Sequence, residues 1–503
     1  MTMNKTKAEG RGQRAENAAL SSPLPSALCP PTSPGFTIPQ ILVIGAITVS
    51  VVTALAGWLG ATLRQAKTAA SRELAFQVAE AGVEYYRWHL AHAPSDFEDG
   101  TGEPGPYVHD FLDRDGVKIG EFSLEITPPA TGSTRVTIAS TGTLVATTTA
   151  TTSRTVRVEM AKPSFARYSI LSNANVRIGA GTVMNGPVHS NGGIRFDGLA
   201  TNLVTSARDV YDDPDHSGGN EFGVHTHASP ADPLPPAIVP SRPDIFQVGR
   251  QFPLPAVDFA GVAADLAGLK ASAQSGGRYY AASGKSGWHI ILKSNSTFDL
   301  YKVTAKKTPP SGCYNDAGET GWDTWEIKTE ALQGNYAFPG NGVMFFEDFV
   351  WVEGAVPSGA RLIVGAATFP DSASTRKSII INKSITYGAQ DGTAVLGLVA
   401  QNNVSIGLPS DNVLNVHAAL IAQNGRVGRN HYRSACGASY VRSTINIYGA
   451  IASNLRYGFA WTDNTGYTTR NITYDANLLY GPPPEFPLSA EGYEVLSWEN
   501  VEN

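Results

Sequence analysis

Charge is scarce in this sequence. Asp, Glu, Lys and Arg make up 16% of the 503 residues, against roughly 25% in an average soluble domain. The net charge is −6, so the chain lacks the basic excess that a nucleic-acid partner selects, and none is expected. Cysteine is scarcer still, with Cys29, Cys313 and Cys436 alone, too few to staple a disulfide scaffold. A nucleophile elbow, a phosphate loop and a dinucleotide fingerprint are also missing. The 51 glycines and the Ser/Thr/Asn-rich texture favour strands and turns. The length allows two or three domains.

The one stretch with no charge at all is informative. Residues 1–35 carry Lys5, Lys7, Arg11 and Arg14 against Glu9 and Glu16, and are rich in Pro, Ser and Ala. Such a segment cannot build a core and reads as a disordered leader. From Phe36 to Leu63 there are 28 residues without a formal charge, where about 20 suffice to cross a bilayer. The positive flank precedes the span, which puts the N-terminus in the cytoplasm and exports the chain beyond Leu63. The expected location is therefore a single-pass inner (cytoplasmic) membrane, with the body outside.

Gly35-Phe36-Thr37 at the membrane entrance resembles the prepilin peptidase site of type IV pilins. The resemblance implies cleavage between Gly35 and Phe36, a prepilin peptidase as partner, and a new N-terminal Phe. Major pilins carry Glu at the fifth mature position, whereas this chain has Gln40. Gln is uncharged and cannot neutralise the amine of a neighbouring subunit, as that Glu does; tip subunits also lack it. Downstream, Leu74, Val78, Ala81, Tyr85 and Trp88 recur at spacings of 4, 3, 4 and 3 and predict one packed helical face. The string Ala79-Glu80-Ala81-Gly82-Val83-Glu84 resembles the helix of PilX-like minor pilins. Pro94 ends the helix. The resemblance implies other pilin subunits as partners of the 36–93 helix, and a pilus or cell-surface location after assembly.

Beyond an acidic loop, Val117, Ile119, Phe122, Leu124 and Ile126 largely alternate. Val136 with Ile138, and Val156 with Val158, form two further runs. A small pilin-like α+β strand module is expected over 94–162, with a Thr-rich 147–155 stretch as strand or loop. An irregular repeat comes next: Ile170-Leu171-Ser172-Asn173, Val188-His189-Ser190-Asn191, Val399-Ala400-Gln401-Asn402, Ile421-Ala422-Gln423-Asn424 and Ile451-Ala452-Ser453-Asn454. Asn-to-Asn separations of 18, 22 and 30 residues suit turns of a right-handed parallel β-helix (solenoid), the alternative being an antiparallel sandwich. Asn tolerates the left-handed conformation, which would let the chain bend between short strands. The expected fold is α+β, mostly β. Its body has first coils at 163–200, an inserted subdomain at 201–340 and remaining coils with a cap at 341–503. Within the insertion, Val257, Phe259, Val262, Leu266 and Leu269 suggest a helix, and Trp288–Leu292 and Phe298–Val303 two strands. The Pro482-Pro483-Pro484 run is expected to close the ladder's end.

Candidate sites are sparse. Asp213, Asp215 and Ser217, followed by Gly218, have the rhythm of a calcium loop, but the twelfth position is Val224. Asp212, Asn220 and Glu221 could add oxygens; the alternative is an acidic solvated loop, with no cofactor. His216, His225 and His227 lie close in sequence, yet no cysteine or further acid stands at a familiar zinc spacing. A Cys313–Cys436 disulfide would suit an exported body, two buried thiols being the alternative. Charged residues on the coil strands are few (Arg177, Arg195, Asp197, Arg426, Arg456), with no recurring carboxylate pair for glycan cleavage. The expected function is a non-enzymatic minor, tip-placed pilus subunit acting in assembly or adhesion to a surface glycan or protein. A body of about 400 residues and Gln40 favour the tip. A type II secretion-like pseudopilin and a membrane-tethered glycan-active enzyme are the alternatives.

Overall fold

The computed structural model describes residues 37–145, 152–259, 261–313, 323–489 and 492–501, with the side chains of residues 37 and 261–265 left aside. The leader, Gly35 and Phe36 lie outside these residues, as does most of the Thr-rich 147–155 stretch. The chain divides into two compact units, residues 1–70 and 71–503.

In the first unit the described residues belong to helix α1, which runs from Thr37 to His92 and so continues into the second unit. Its uncharged stretch is long and apolar enough to cross a bilayer, and Ile38, Leu42, Trp58 and Leu63 are all exposed. Hydroxyls in this stretch donate back along the helix. Thr48 bonds the Ile44 carbonyl at 2.7 Å, Ser50 that of Ala46 at 2.8 Å and Thr53 that of Val49 at 2.7 Å. Polar groups satisfied inside the helix are what a lipid environment requires.

In the second unit, the rest of α1 packs on an antiparallel sheet. Its strands are β1 (Tyr107–Leu112), β2 (Lys118–Thr127), β3 (Arg135–Leu144) and β4 (Ser153–Ala161). The three apolar runs read from the sequence fall on β2, β3 and β4. The helical face differs from the one expected. Ala75, Val78, Ala79, Val83, Tyr86 and Leu90 are buried against Phe122, Leu124, Ile138 and Val158, whereas Trp88 is 59% exposed. Close approach decides this. A Cβ on Gly142 would stand 2.2 Å from the Ala75 carbonyl oxygen and 2.4 Å from the Ala79 amide nitrogen. One on Gly82 would stand 2.3 Å from Ser140 Oγ. Ala75, Ala79 and Gly82 therefore let the helix backbone touch the sheet, while Tyr86 and Leu90 fill the core beside them and Trp88 turns away. The fifth strand, Glu494–Val501, comes from the far end of the chain and pairs with β4.

Most of the remaining strands build a 21-stranded, predominantly parallel sheet. Val395–Ala400, Val413–Ala422 and Val441–Ser453 pair successively in parallel. Val441–Ser453 then pairs with Ile170–Ser172, and that strand with Val188–Ser190. The 163–200 segment thus stacks directly on the last long strands. Strands Val204–Ser206 and Arg250–Gln251 extend the ladder from there, while Gly287–Lys293 pairs with Val350–Val356. The 201–340 region therefore contributes to the ladder at two places. Its helix α2 (Gly261–Ser275) buries Leu266 and Leu269 on one face of the sheet beside Val399 and Ile421. Ile170, Leu398, Leu420 and Ile451 fill the other face.

Three expectations change. The 18- and 22-residue repeats pair in the register read from the sequence, Ile170 with Val188 and Val399 with Ile421. Ile421, however, pairs with Ala452, one position beyond Ile451. None of the repeat asparagines has a positive φ. They stack instead: Asn173 Nδ2 donates to Asn454 Oδ1 and Asn191 Nδ2 to Asn173 Oδ1, each at 2.8 Å. Asn415, Asn446 and Asn471 form a second ladder, at 2.9 and 2.8 Å. The proline run lies along the side of the sheet: Pro484 and Pro483 each come within 3.0 Å of where a Cβ would stand on Gly342 and Gly397.

Candidate functional site

Gln40 lies in the first turns of α1 and is exposed. It presents a neutral amide there.

The parallel pairing of Gly466–Tyr474 with Thr182–Asn185 brings together residues almost 300 positions apart. They line a groove of about 500 Å³ that includes Arg177, Arg426, Arg456, Arg470, Trp461 and Asp215. Arg470 is braced by Thr182 Oγ1 at 3.2 Å and by the Tyr467 carbonyl at 2.8 Å, and burial lowers its pKa. Arg426 lies over the Trp461 ring, 5.2 Å from its centroid, and His431 stacks on the same indole at 4.4 Å. Arg456 Nη2 meets Asp215 Oδ2 at 2.5 Å, and Arg177 lies 3.9 Å from the same carboxylate. Arginine forks with a half-buried indole suit an anionic, ring-bearing ligand. Three of these arginines were visible in the sequence as isolated charges on coil strands. Arg470 and Trp461 carried no signal, because only the long-range pairing places them there.

The Asp213–Ser217 loop does not assemble a calcium cage. Asp215 is occupied by Arg456, while Asp213 faces Arg195 Nη1 at 3.7 Å and His225 Nε2 at 3.5 Å. Ser217 is exposed. Instead the loop covers a three-stranded parallel sheet of Val176–Ile178, Ile194–Phe196 and Val224–His225. Alternation sends Val224, Ile194 and Phe196 inward and aligns Arg177, Arg195 and His225 on the other side. His227 lies just beyond, its amide donating to Asp197 Oδ1 at 2.8 Å. Burial, with Arg195 nearby, holds the His227 imidazole below its ordinary pKa. Glu221, a candidate calcium oxygen by sequence, turns to His216 and His227 instead.

Cys313 and Cys436 are joined as a disulfide, with Cα atoms 4.5 Å apart. The bond borders a small cluster of Leu408, Tyr432 and Tyr440.

No family model matches the chain, and no curated protein matches it. Among solved structures it is similar to the competence-associated pilin ComZ from Thermus thermophilus, with 13% identity and a TM-score of 0.30, over 86% of this chain and 98% of that one. A likeness this distant carries no functional argument.

Proposed function

We propose that this chain is a non-enzymatic minor subunit of a type IV pilus-like filament, standing at its tip and acting in assembly or adhesion. The observation that carries the reading is α1: one continuous helix begins as an uncharged, exposed, self-satisfied apolar stretch and ends packed on a small antiparallel sheet. Before assembly the stretch anchors the chain in the inner membrane; afterwards it packs among the helices of other subunits. Prepilin peptidase removes residues 1–35 at Gly35–Phe36. Gln40 supports the tip position, since no charged partner for an incoming amine is offered there.

The large parallel sheet is, in this reading, a right-handed β-solenoid. Strands 18 to 31 positions apart pair in parallel, asparagines stack in ladders, and parallel crossovers are overwhelmingly right-handed. The arginine–tryptophan groove then serves as its adhesive face, for an acidic surface glycan or a protein side chain of like chemistry. Cleavage of a glycan would need two converging acid groups, whereas the carboxylate lining this groove, Asp215, is tied to Arg456.

Gold-labelled antibody against the body, applied to sheared filaments, is expected to mark filament ends. Labelling along the shaft would refute the tip position, and label confined to the cytosol would refute the whole reading.

A further inference from the structure

The loop that covers the three-stranded sheet holds more ligating atoms than its ion pairs use. Asp213, His225 and His227 form one set of three whose donor atoms lie within 4.8 Å of one another. His216, Glu221 and His227 form another, with His227 in both. Glu221 Oε1 lies 3.3 Å from His216 Nδ1 and 3.2 Å from His227 Nε2. The Asp213 Oδ2–His225 Nε2 separation is 3.5 Å. Four donors around a zinc ion, at bonds of about 2.0–2.1 Å, stand roughly 3.3–3.5 Å apart. These three separations sit at or next to the edge lengths of that tetrahedron.

His225 supplies the independent observation. Its side chain is fully buried, yet neither ring nitrogen has a hydrogen-bond partner, and neither does Asp213 Oδ2 beside it. A buried ring nitrogen left without a hydrogen bond costs roughly 1–3 kcal/mol. Ion pairing explains Glu221 with His216 and His227, and brings His225 Nε2 to 3.5 Å from Asp213 Oδ2, but it does not explain the idle Nδ1 of a buried ring.

We propose that this cluster is a binding site for one divalent transition-metal ion of the zinc class, with His227 as the ligand common to both sets. Imidazole and carboxylate donors select zinc, nickel, cobalt or copper(II) over calcium, which takes a cage of oxygens. The fixed amide of His227 and the strand position of His225 hold two imidazoles in place before an ion arrives. His216, the exposed member, gives the ion its way in. The ion would cross-link the 213–227 loop to the underlying sheet, beside the arginine groove.

The test uses the full-length chain, purified in detergent without an affinity tag, stripped with chelator and titrated with Zn²⁺ by calorimetry. One equivalent is expected to bind saturably. His227→Ala is expected to weaken it by roughly 100-fold or more, and His216→Ala by roughly 10-fold or more. Because His216 lies at the surface, its variant keeps the fold, checked by circular dichroism, and decides the matter should His227→Ala unfold. Absence of saturable Zn²⁺ binding would overturn the proposal. So would equal affinity in wild type and His216→Ala, or a preference for Ca²⁺ in a parallel titration.

Discussion

Replacing Gly142 by valine is expected to unseat α1 from its sheet and to destabilise the strand module by about 3 kcal/mol or more, the upper end of overpacking effects. The added Cβ would stand 2.2 and 2.4 Å from backbone atoms of Ala75 and Ala79. Helix backbone cannot rotate aside as a side chain can, so the helix must lift. Lifting it strips Val78, Val83, Tyr86 and Leu90 from Phe122, Leu124, Ile138 and Val158, much of the module's core. Gly82→Ala is the graded control. Its nearest neighbours, Ser140 Oγ at 2.3 Å and Phe122 Cδ2 at 2.8 Å, are side-chain atoms with some freedom to shift, so a smaller loss is expected. Thermal unfolding of the full chain in detergent measures both. Wild-type stability in Gly142→Val would contradict the close packing described here.

Arg429→Ala is expected to lose about 3 kcal/mol or more of body stability, because it abandons several buried acceptors at once. The guanidinium is fully buried. It donates to the carbonyls of Gly407, Leu408 and Ser439 and to Ser410 Oγ, the last two at 2.6 and 2.8 Å. Tyr432 and Tyr467 lie against it, with ring centroids 4.9 and 5.6 Å away. Burial pulls its pKa down to about 10, still well above neutrality, so a charge is held there by carbonyl dipoles and aromatic faces. Arg429→Lys is expected to recover little, since a single ammonium cannot span acceptors arranged for a planar fork. Both variants are read by thermal unfolding. A lysine variant as stable as wild type would show that charge, not the fork, is what the site requires.

Much of this architecture was legible because short-range chemistry writes it. The uncharged run, the alternation over 117–126 and the Asn-terminated repeats each depend on residues a few positions apart. The buried helical face differs from the one that spacing suggests because periodicity alone does not weigh the Ala and Gly positions that let backbones touch. Sequence alone suggests chain bending for the repeat asparagines, whereas the amides of Asn173, Asn191 and Asn454 bond to one another across stacked turns and that of Asn424 donates to the Gln401 carbonyl. That cross-strand pairing is not visible from within one strand. Least legible was closure in space. Glu494–Val501 returns to β4, and Ile170–Ser172 docks on Val441–Ser453; nothing local encodes either. The arginine groove arises from such closure, whereas Glu221 meets His216 and His227 through a local fold of the chain. The His225-x-His227 spacing hinted at a ligand pair, but the acid completing it lies before the strand and carried no spacing signature.

An apolar helix, inserted in the membrane and then processed at its cytoplasmic end, underlies the proposed function. N-terminal mass spectrometry of the chain recovered from the membrane or filament fraction tests this most directly. The expected mature protein begins at Phe36, with residues 1–35 absent. A membrane-bound chain that retains Met1, or a full-length chain soluble in the cytosol, would contradict it.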